Sequence, residues 1–149
     1  MTKRIAIGAL CYLIPTFALG FVWHLVAFKG YYDALAIYRK DVIIPFGFLS
    51  MSIQGVLFAW IYARAFAAWS DATARAVGYA AFGAVLSWSF TTIAVAAKNV
   101  MSSVPDYLLI ESGFTVVQWL MVGPLTVLLW RRSEPLRAAH PGSSKLGRA

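Results

Sequence analysis

Charged side chains are scarce in this sequence, and cysteine is nearly absent. Only 13% of the 149 residues are Asp, Glu, Lys or Arg, which is about half of the share typical of a soluble domain. This low charge argues against a soluble globular fold. The single cysteine, Cys11, has no second thiol in the chain, so an intramolecular disulfide and a paired-thiol redox motif are both excluded.

Histidines are few, and the common catalytic motifs are missing. The chain has two histidines, His24 and His140, and a bis-histidine haem would need both of them within apolar helices. The clustered ligands of a zinc hydrolase are absent, as are the G-x-S-x-G, P-loop and dinucleotide-binding patterns. We therefore expect no metal and no cofactor, and the sequence supports neither nucleophilic nor nucleotide chemistry.

Apolar residues dominate the composition and fall into four long runs. They make up 60% of the chain, and the mean hydropathy is +0.70. The runs cover residues 5–28, 42–63, 76–97 and 107–130, and each is long enough to cross a hydrocarbon core of about 30 Å as a helix. The sequence predicts an all-α membrane protein, a four-transmembrane-helix antiparallel bundle with helices at about residues 5–28, 42–66, 76–97 and 107–130 in one domain of residues 1–132.

Three segments at the edges of these runs are also interpretable. The first run follows basic residues, as in a signal peptide, but it is too long for one, and we interpret it as an uncleaved helix. Residues 133–149 are basic and contain Pro and Gly, which predicts a disordered cytoplasmic tail. Between the first two runs, four side chains are spaced to form one aromatic and apolar face, which predicts a short interfacial helix: Tyr31, Tyr32, Leu35 and Tyr38.

The distribution of basic residues predicts the orientation and the partners. Nine Lys and Arg residues lie on the side of the termini and of the connection between the second and third runs, and four lie on the other side. By the positive-inside rule both termini are cytoplasmic, in a multi-pass protein of the inner (plasma) membrane. Because the basic residues flank apolar spans, we expect the lipid bilayer rather than nucleic acid as the partner. Since four helices make a thin bundle, we also expect a homodimer or a partner membrane subunit.

Glu111 is the only charge within the run of residues 107–130. An acid at the centre of a bilayer costs about 2.5–3.5 kcal/mol on insertion scales, and such groups often mark functional sites. Thr115 and Gln118 share its helical face. The predicted topology places a set of polar side chains in the outer third of the bundle or just below it, and we expect them to form one ligand-binding site: Glu111, Lys98, His24, Gln118, Gln54, Ser50 and Thr115.

Three functions are compatible with this cluster. The first is a non-enzymatic binding or transport unit, or an accessory subunit, with Glu111 facing the bundle interior. The second is a membrane enzyme acting on a lipid or quinone, with Glu111 and His24 as acid and base. The third is a purely structural subunit, in which a Lys98–Glu111 ion pair joins the third and fourth helices. The sequence favours the first function and leaves the other two open.

Several landmarks resemble a known pattern. They are WH at Trp23–His24, the Tyr- and Arg-bearing loop after it, IPFGFLSMSIQG at Ile44–Gly55, AAK at Ala96–Lys98 and LLIESGFTVVQ at Leu108–Gln118. Together they resemble an uncharacterised family of small bacterial four-helix integral membrane proteins, a domain of unknown function. The resemblance implies a bacterial membrane protein with four helices, and it implies no reaction.

Overall fold

The computed structural model describes residues 2–133, and this part of the chain is helical without any strand. Four helices are long and apolar enough to cross a membrane, and a helix of seven residues lies between the first two. The all-helical fold and the four long apolar helices agree with the sequence prediction. The tail predicted from residue 133 onward lies outside the described residues, apart from Ser133. The helices are α1 (Thr2–Ala27), α2 (Lys29–Leu35), α3 (Ile44–Phe66), α4 (Ala72–Lys98) and α5 (Val104–Arg132).

Side-chain caps define where the last two long helices begin. Ser103 accepts a hydrogen bond from the backbone N–H of Asp106 at 3.4 Å, so α5 begins at Val104. Asp71 accepts one from the backbone N–H of Ala74 at 2.6 Å. Helix α4 therefore begins at Ala72, whereas the sequence predicted a start near residue 76. Such caps satisfy backbone donors that have no partner within the helix.

The long helices pack as a row in the order α3, α1, α5, α4. Small residues bring α1 and α3 close together, since a Cβ atom on Gly8 would lie 2.8 Å from the Cβ of Ala59 and one on Gly55 would lie 2.9 Å from the carbonyl oxygen of Ala9. Near the α3–α4 connection, Tyr62 of α3 contacts Tyr79 of α4. Since α3 and α4 are at opposite ends of the row, a groove opens between them away from this connection.

An aromatic core fills the half of the molecule next to the α3–α4 connection. Trp119 lies at its centre, with ring centroids 5.9 Å from Tyr12 and 5.5 Å from Tyr79. A Cβ atom on Gly83 would come within 2.1 Å of the Trp119 ring, so only glycine lets the indole pack against α4. The buried members of this core are Tyr12, Phe58, Tyr62, Phe66, Tyr79, Trp119, Val122, Val127 and Trp130.

Three of the long helices contain a π-helical turn, at Trp23–Ala27 in α1, Tyr62–Phe66 in α3 and Trp88–Ile93 in α4. The backbone N–H of Phe28, for example, donates to the carbonyl of Trp23 at 3.0 Å. A π-helical turn rotates the side chains that follow it relative to a regular α-helix, and such turns are frequent at functional sites. The first of them carries His24, and the third carries residues that face the groove.

Helix α2 packs on the protein with part of the face that the sequence assigned to the membrane surface. Tyr32 is 1% exposed and Leu35 is 3% exposed, and both pack with Tyr107 of α5. Ser102 anchors the end of α2, because its backbone N–H donates to the carbonyl oxygen of Leu35 and its hydroxyl donates to the carbonyl oxygen of Ala34. The predicted short helix is present. The expectation that Tyr32 and Leu35 face the membrane surface is wrong, because α2 folds back over the beginning of α5.

Candidate functional site

Glu111 is buried near the beginning of α5, with 5% of its surface exposed. Its Oε1 atom accepts a hydrogen bond from the hydroxyl of Tyr32 at 2.7 Å and lies 3.1 Å from Nε2 of His24. Tyr32 comes from α2 and His24 from the π-helical turn of α1. Three separate elements thus converge on one carboxylate oxygen, and within residues 2–133 we find no hydrogen bond to Oε2.

The two ring nitrogens of His24 have different partners. Nδ1 of His24 lies 2.9 Å from the carbonyl oxygen of Gly20, and a carbonyl can only accept, so this nitrogen carries a hydrogen. The Nε2–Oε1 hydrogen bond to Glu111 then needs one proton, which lies either on the imidazole or on the carboxyl group. The Nε2–Oε1 contact therefore lies on a path along which a proton can pass between the two side chains.

Lys98 does not take the position that the sequence assigned to it. It is exposed at the end of α4 and does not line the cavity beside Glu111. The predicted Lys98–Glu111 ion pair is wrong, because the π-helical turn of α1 and the fold-back of α2 bring His24 and Tyr32 to the carboxylate instead. The link made by Glu111 joins α5 to α1 and α2, not to α4.

A second polar network lies deeper along the same helices. The side-chain amide of Gln118 donates to the hydroxyls of Thr16 at 3.1 Å and Tyr12 at 3.3 Å. The Tyr12 hydroxyl donates to Oε1 of Gln54 at 2.6 Å, and the Gln54 amide donates to Ser50 at 3.1 Å. These bonds connect α5, α1 and α3 across the floor of the groove.

Both networks line one cavity of about 540 Å³ between α3 and α4. Thr115 is buried but does not line it, and neither does Lys98. Three further residues with hydroxyl groups, Tyr12, Thr16 and Tyr107, also line the cavity. Five of the seven residues that the sequence grouped together are among those lining it: His24, Ser50, Gln54, Glu111 and Gln118.

The polar cavity continues into an apolar cleft of about 260 Å³. The residues that line both spaces are Gln54, Ser87, Phe90 and Thr91. The cleft extends past Leu57 to Ile61. From Ser50 to Ile61 the wall formed by α3 changes from polar to apolar over roughly 16 Å at 1.5 Å per residue. The groove therefore has a polar and an apolar part in direct continuity.

The tyrosines beside Glu111 were not identified as site residues from the sequence. Burial raises the pKa of the Tyr32 hydroxyl above its usual value, and the charge of Glu111 raises it further. The same two causes raise the pKa of Tyr38. Both phenols are therefore neutral at physiological pH, and Tyr32 remains a hydrogen-bond donor. The spacing of aromatic residues predicted only that Tyr32 belongs to an apolar face, because the sequence does not show that its hydroxyl contacts the carboxylate of Glu111.

Tyr12 was missed for a related reason. It lies within an apolar run, and only the tertiary structure shows that its hydroxyl bonds with Gln54 and Gln118.

Chemically, the whole arrangement can bind hydrogen-bonding groups, exchange one proton and hold an apolar chain. Within residues 2–133 there is no group of three His, Cys, Asp or Glu side chains that could hold a metal. No family model, curated protein or solved structure matches this chain.

Proposed function

We propose that this chain is a multi-pass inner-membrane protein with antiparallel spans and both termini in the cytoplasm. Four helices of suitable length and apolarity support insertion. The contacts support the antiparallel order, since Gly8 near the start of α1 lies beside Ala59, and Gly20 near its end lies beside Met51. The excess of Lys and Arg around the termini supports the orientation.

Within this topology the protein binds an amphipathic small molecule in the groove between α3 and α4, as a binding or transport unit. The continuity between the polar cavity and the apolar cleft carries this proposal. Polar groups of the ligand bind Glu111 and Gln118, and its apolar chain lies against Phe58 and Leu57. Because the groove opens between two helices rather than at the end of a closed bundle, the ligand enters from the bilayer.

The hydrogen-bonding groups of the floor suit such a ligand. The hydrogen bonds of Glu111 use Oε1 and those of Gln118 use its amide nitrogen, so Oε2 and the Gln118 carbonyl can accept from ligand hydroxyls. The polar cavity, at about 540 Å³, falls within the range of roughly 300–1,000 Å³ that is usual for small-molecule sites. A ligand with hydroxyl donors near one end and an aliphatic chain at the other fits both spaces.

The proposal is tested by blocking the groove. Thr91 lines both spaces and its hydroxyl donates only locally, to the Ser87 carbonyl, so Thr91→Trp fills the groove and leaves its polar contacts in place. In nanodiscs, a diacylglycerol with a diazirine in its acyl chain labels the wild-type protein at groove residues, and Thr91→Trp loses most of this labelling. The matched control is Ser89→Trp on the same π-helical turn, since Ser89 is exposed and lines neither space. Equal labelling of all three proteins contradicts the proposal.

A second candidate function is a membrane enzyme acting on a lipid or quinone. The observation that favours it is the contact of 3.1 Å between Nε2 of His24 and Oε1 of Glu111 at the wall of the cavity, since both side chains can give and accept protons. Acid–base catalysis needs the reacting atom within about 2.6–3.2 Å of one of these groups, or one water away. Conversion of an added lipid or quinone by the wild type and not by Glu111→Gln identifies an enzyme. The purely structural alternative loses its support, since it rested on the Lys98–Glu111 pair.

A further inference from the structure

A third cavity, of about 410 Å³, lies at the loop between α1 and α3. We call it the basic vestibule, because Lys29, Arg39 and Lys40 line it. We propose that the basic vestibule binds the phosphate of an anionic lipid whose acyl chain occupies the groove. This inference rests on the proposed function, and it adds the chemical class of the ligand.

The charge of the basic vestibule favours an anion. Its lining has three cationic side chains and a single carboxylate, Asp33, which pairs with Lys29 at 2.5 Å. Arg39 and Lys40 therefore leave two formal positive charges around the cavity. A planar guanidinium can bind two oxygens of a phosphate, and a nearby ammonium adds a point charge.

The basic vestibule and the polar cavity meet at two shared side chains. His24 and Tyr38 line both spaces. Tyr38 stacks on Tyr32 with ring centroids 5.0 Å apart, and the His24 ring lies 4.8 Å from Tyr32. A molecule with its phosphate in the basic vestibule can therefore place its next polar groups beside Glu111.

The order of the three spaces matches the order of groups in a phospholipid. The basic vestibule lies at the loop outside the apolar spans, the cavity of Glu111 and Gln118 comes next, and the cleft at Leu57 is furthest from the loop. A phospholipid has its phosphate first, then glycerol and ester oxygens, and then its acyl chains. Because lipid phosphates occupy the headgroup region, the ligand needs no inversion in the bilayer to enter.

The structure also supplies a control for non-specific attraction. Lys98 is exposed. It lies at the same end of the molecule as the basic vestibule, because Ser102, four residues later, is hydrogen-bonded to Ala34 of α2. It lines neither the polar cavity nor the basic vestibule. General attraction of anionic lipids to basic residues would involve Lys98 as much as Lys40, whereas a phosphate site depends on the lining residues alone.

The experiment uses the full chain in phosphatidylcholine nanodiscs with two diazirine probes, phosphatidic acid and diacylglycerol of the same acyl chains. We expect the wild type to be labelled about thirtyfold more efficiently by phosphatidic acid, in line with two cations close to the phosphate. The Arg39→Gln/Lys40→Gln variant loses this preference and keeps its diacylglycerol labelling. The Lys98→Gln variant keeps the preference.

Several outcomes overturn the inference. They are equal labelling of the wild type by both probes, an equal loss of preference in Lys98→Gln, and complete displacement by excess inorganic phosphate, which identifies a free anion as the ligand. If diacylglycerol labelling remains sensitive to Thr91→Trp in these cases, the proposed function stands and only the phosphate site fails. Absence of groove labelling by either probe rejects the proposed function itself.

Discussion

At the scale of single residues, the partners of Glu111 decide its role. Its carboxylate is held by Tyr32 and His24, which precede Glu111 in the sequence by 79 and 87 residues. A buried acid with two hydrogen-bonding partners is less costly than an isolated one. The contact with Tyr32 and His24 therefore explains how Glu111 is tolerated, and its position on a cavity wall makes it a candidate binding group.

Replacement of Glu111 separates binding from stability. In Glu111→Gln the amide nitrogen can take the place of Oε1 and donate one hydrogen to Nε2 of His24 and the other to the hydroxyl oxygen of Tyr32, so we expect a melting temperature in detergent close to that of the wild type. Diacylglycerol labelling falls by about tenfold, the usual scale for a lost hydrogen bond to a charged group. Glu111→Leu leaves both partners unpaired and destabilises the protein by about 1–3 kcal/mol per buried group. A large loss of stability in Glu111→Gln with unchanged labelling would assign Glu111 a structural role alone.

Tyr32→Phe tests the second partner and its pH dependence. We expect a loss of about 1.5–3 kcal/mol near neutral pH, the range for hydrogen bonds to charged groups. The folded-state pKa of Tyr32 lies above the ordinary value of 10.0, so its contribution is complete below pH 10.0 and is lost as the pH rises beyond it. Thermal melts at about pH 8 and pH 11 then show a smaller difference between wild type and variant at the higher pH. Tyr31→Phe, on an exposed neighbour, is the control and shows no such difference.

At the scale of helices, close packing and π-helical turns shape the groove. The α1–α3 contact depends on Gly8 and Gly55, while the α4–α5 contact depends on Gly83 beside Trp119. These contacts fix the row of helices on one side. On the other side, the π-helical turn at Trp88–Ile93 presents Phe90 and Thr91 to the groove. Tight packing in one half of the molecule thus coexists with an open cavity in the other.

Gly83→Ala tests the packing of α4 on α5. The added methyl group would lie 2.1 Å from the Trp119 ring, and we expect a destabilisation of about 1–3 kcal/mol from overpacking. Gly47→Ala is the matched helical control, because nothing lies within 4 Å of its added Cβ atom. Denaturation in mixed detergent micelles measures both variants. A Gly83→Ala variant as stable as Gly47→Ala would contradict the packing described.

At the scale of the whole molecule, the proposed topology predicts that the basic vestibule lies on the outer side of the membrane. Cys11 is buried and can be replaced by serine, which gives a background for single-cysteine labelling. In intact cells, we expect a membrane-impermeant maleimide to label Arg39→Cys and Lys98→Cys, whereas Arg64→Cys reacts only after the inner membrane is permeabilised. The opposite pattern would invert the orientation and place the basic vestibule in the cytoplasm.

The sequence by itself determined the helices and the polar residues worth examining. Run length and residue type are local properties, so four apolar helices and five of the cavity residues were predictable. The tertiary structure alone decided that Glu111 meets His24 and Tyr32 rather than Lys98. That choice depends on the fold-back of α2, the π-helical turn of α1 and the order of helices in the row. Each of these arises from contacts between distant segments, which periodicity and spacing along the chain do not encode.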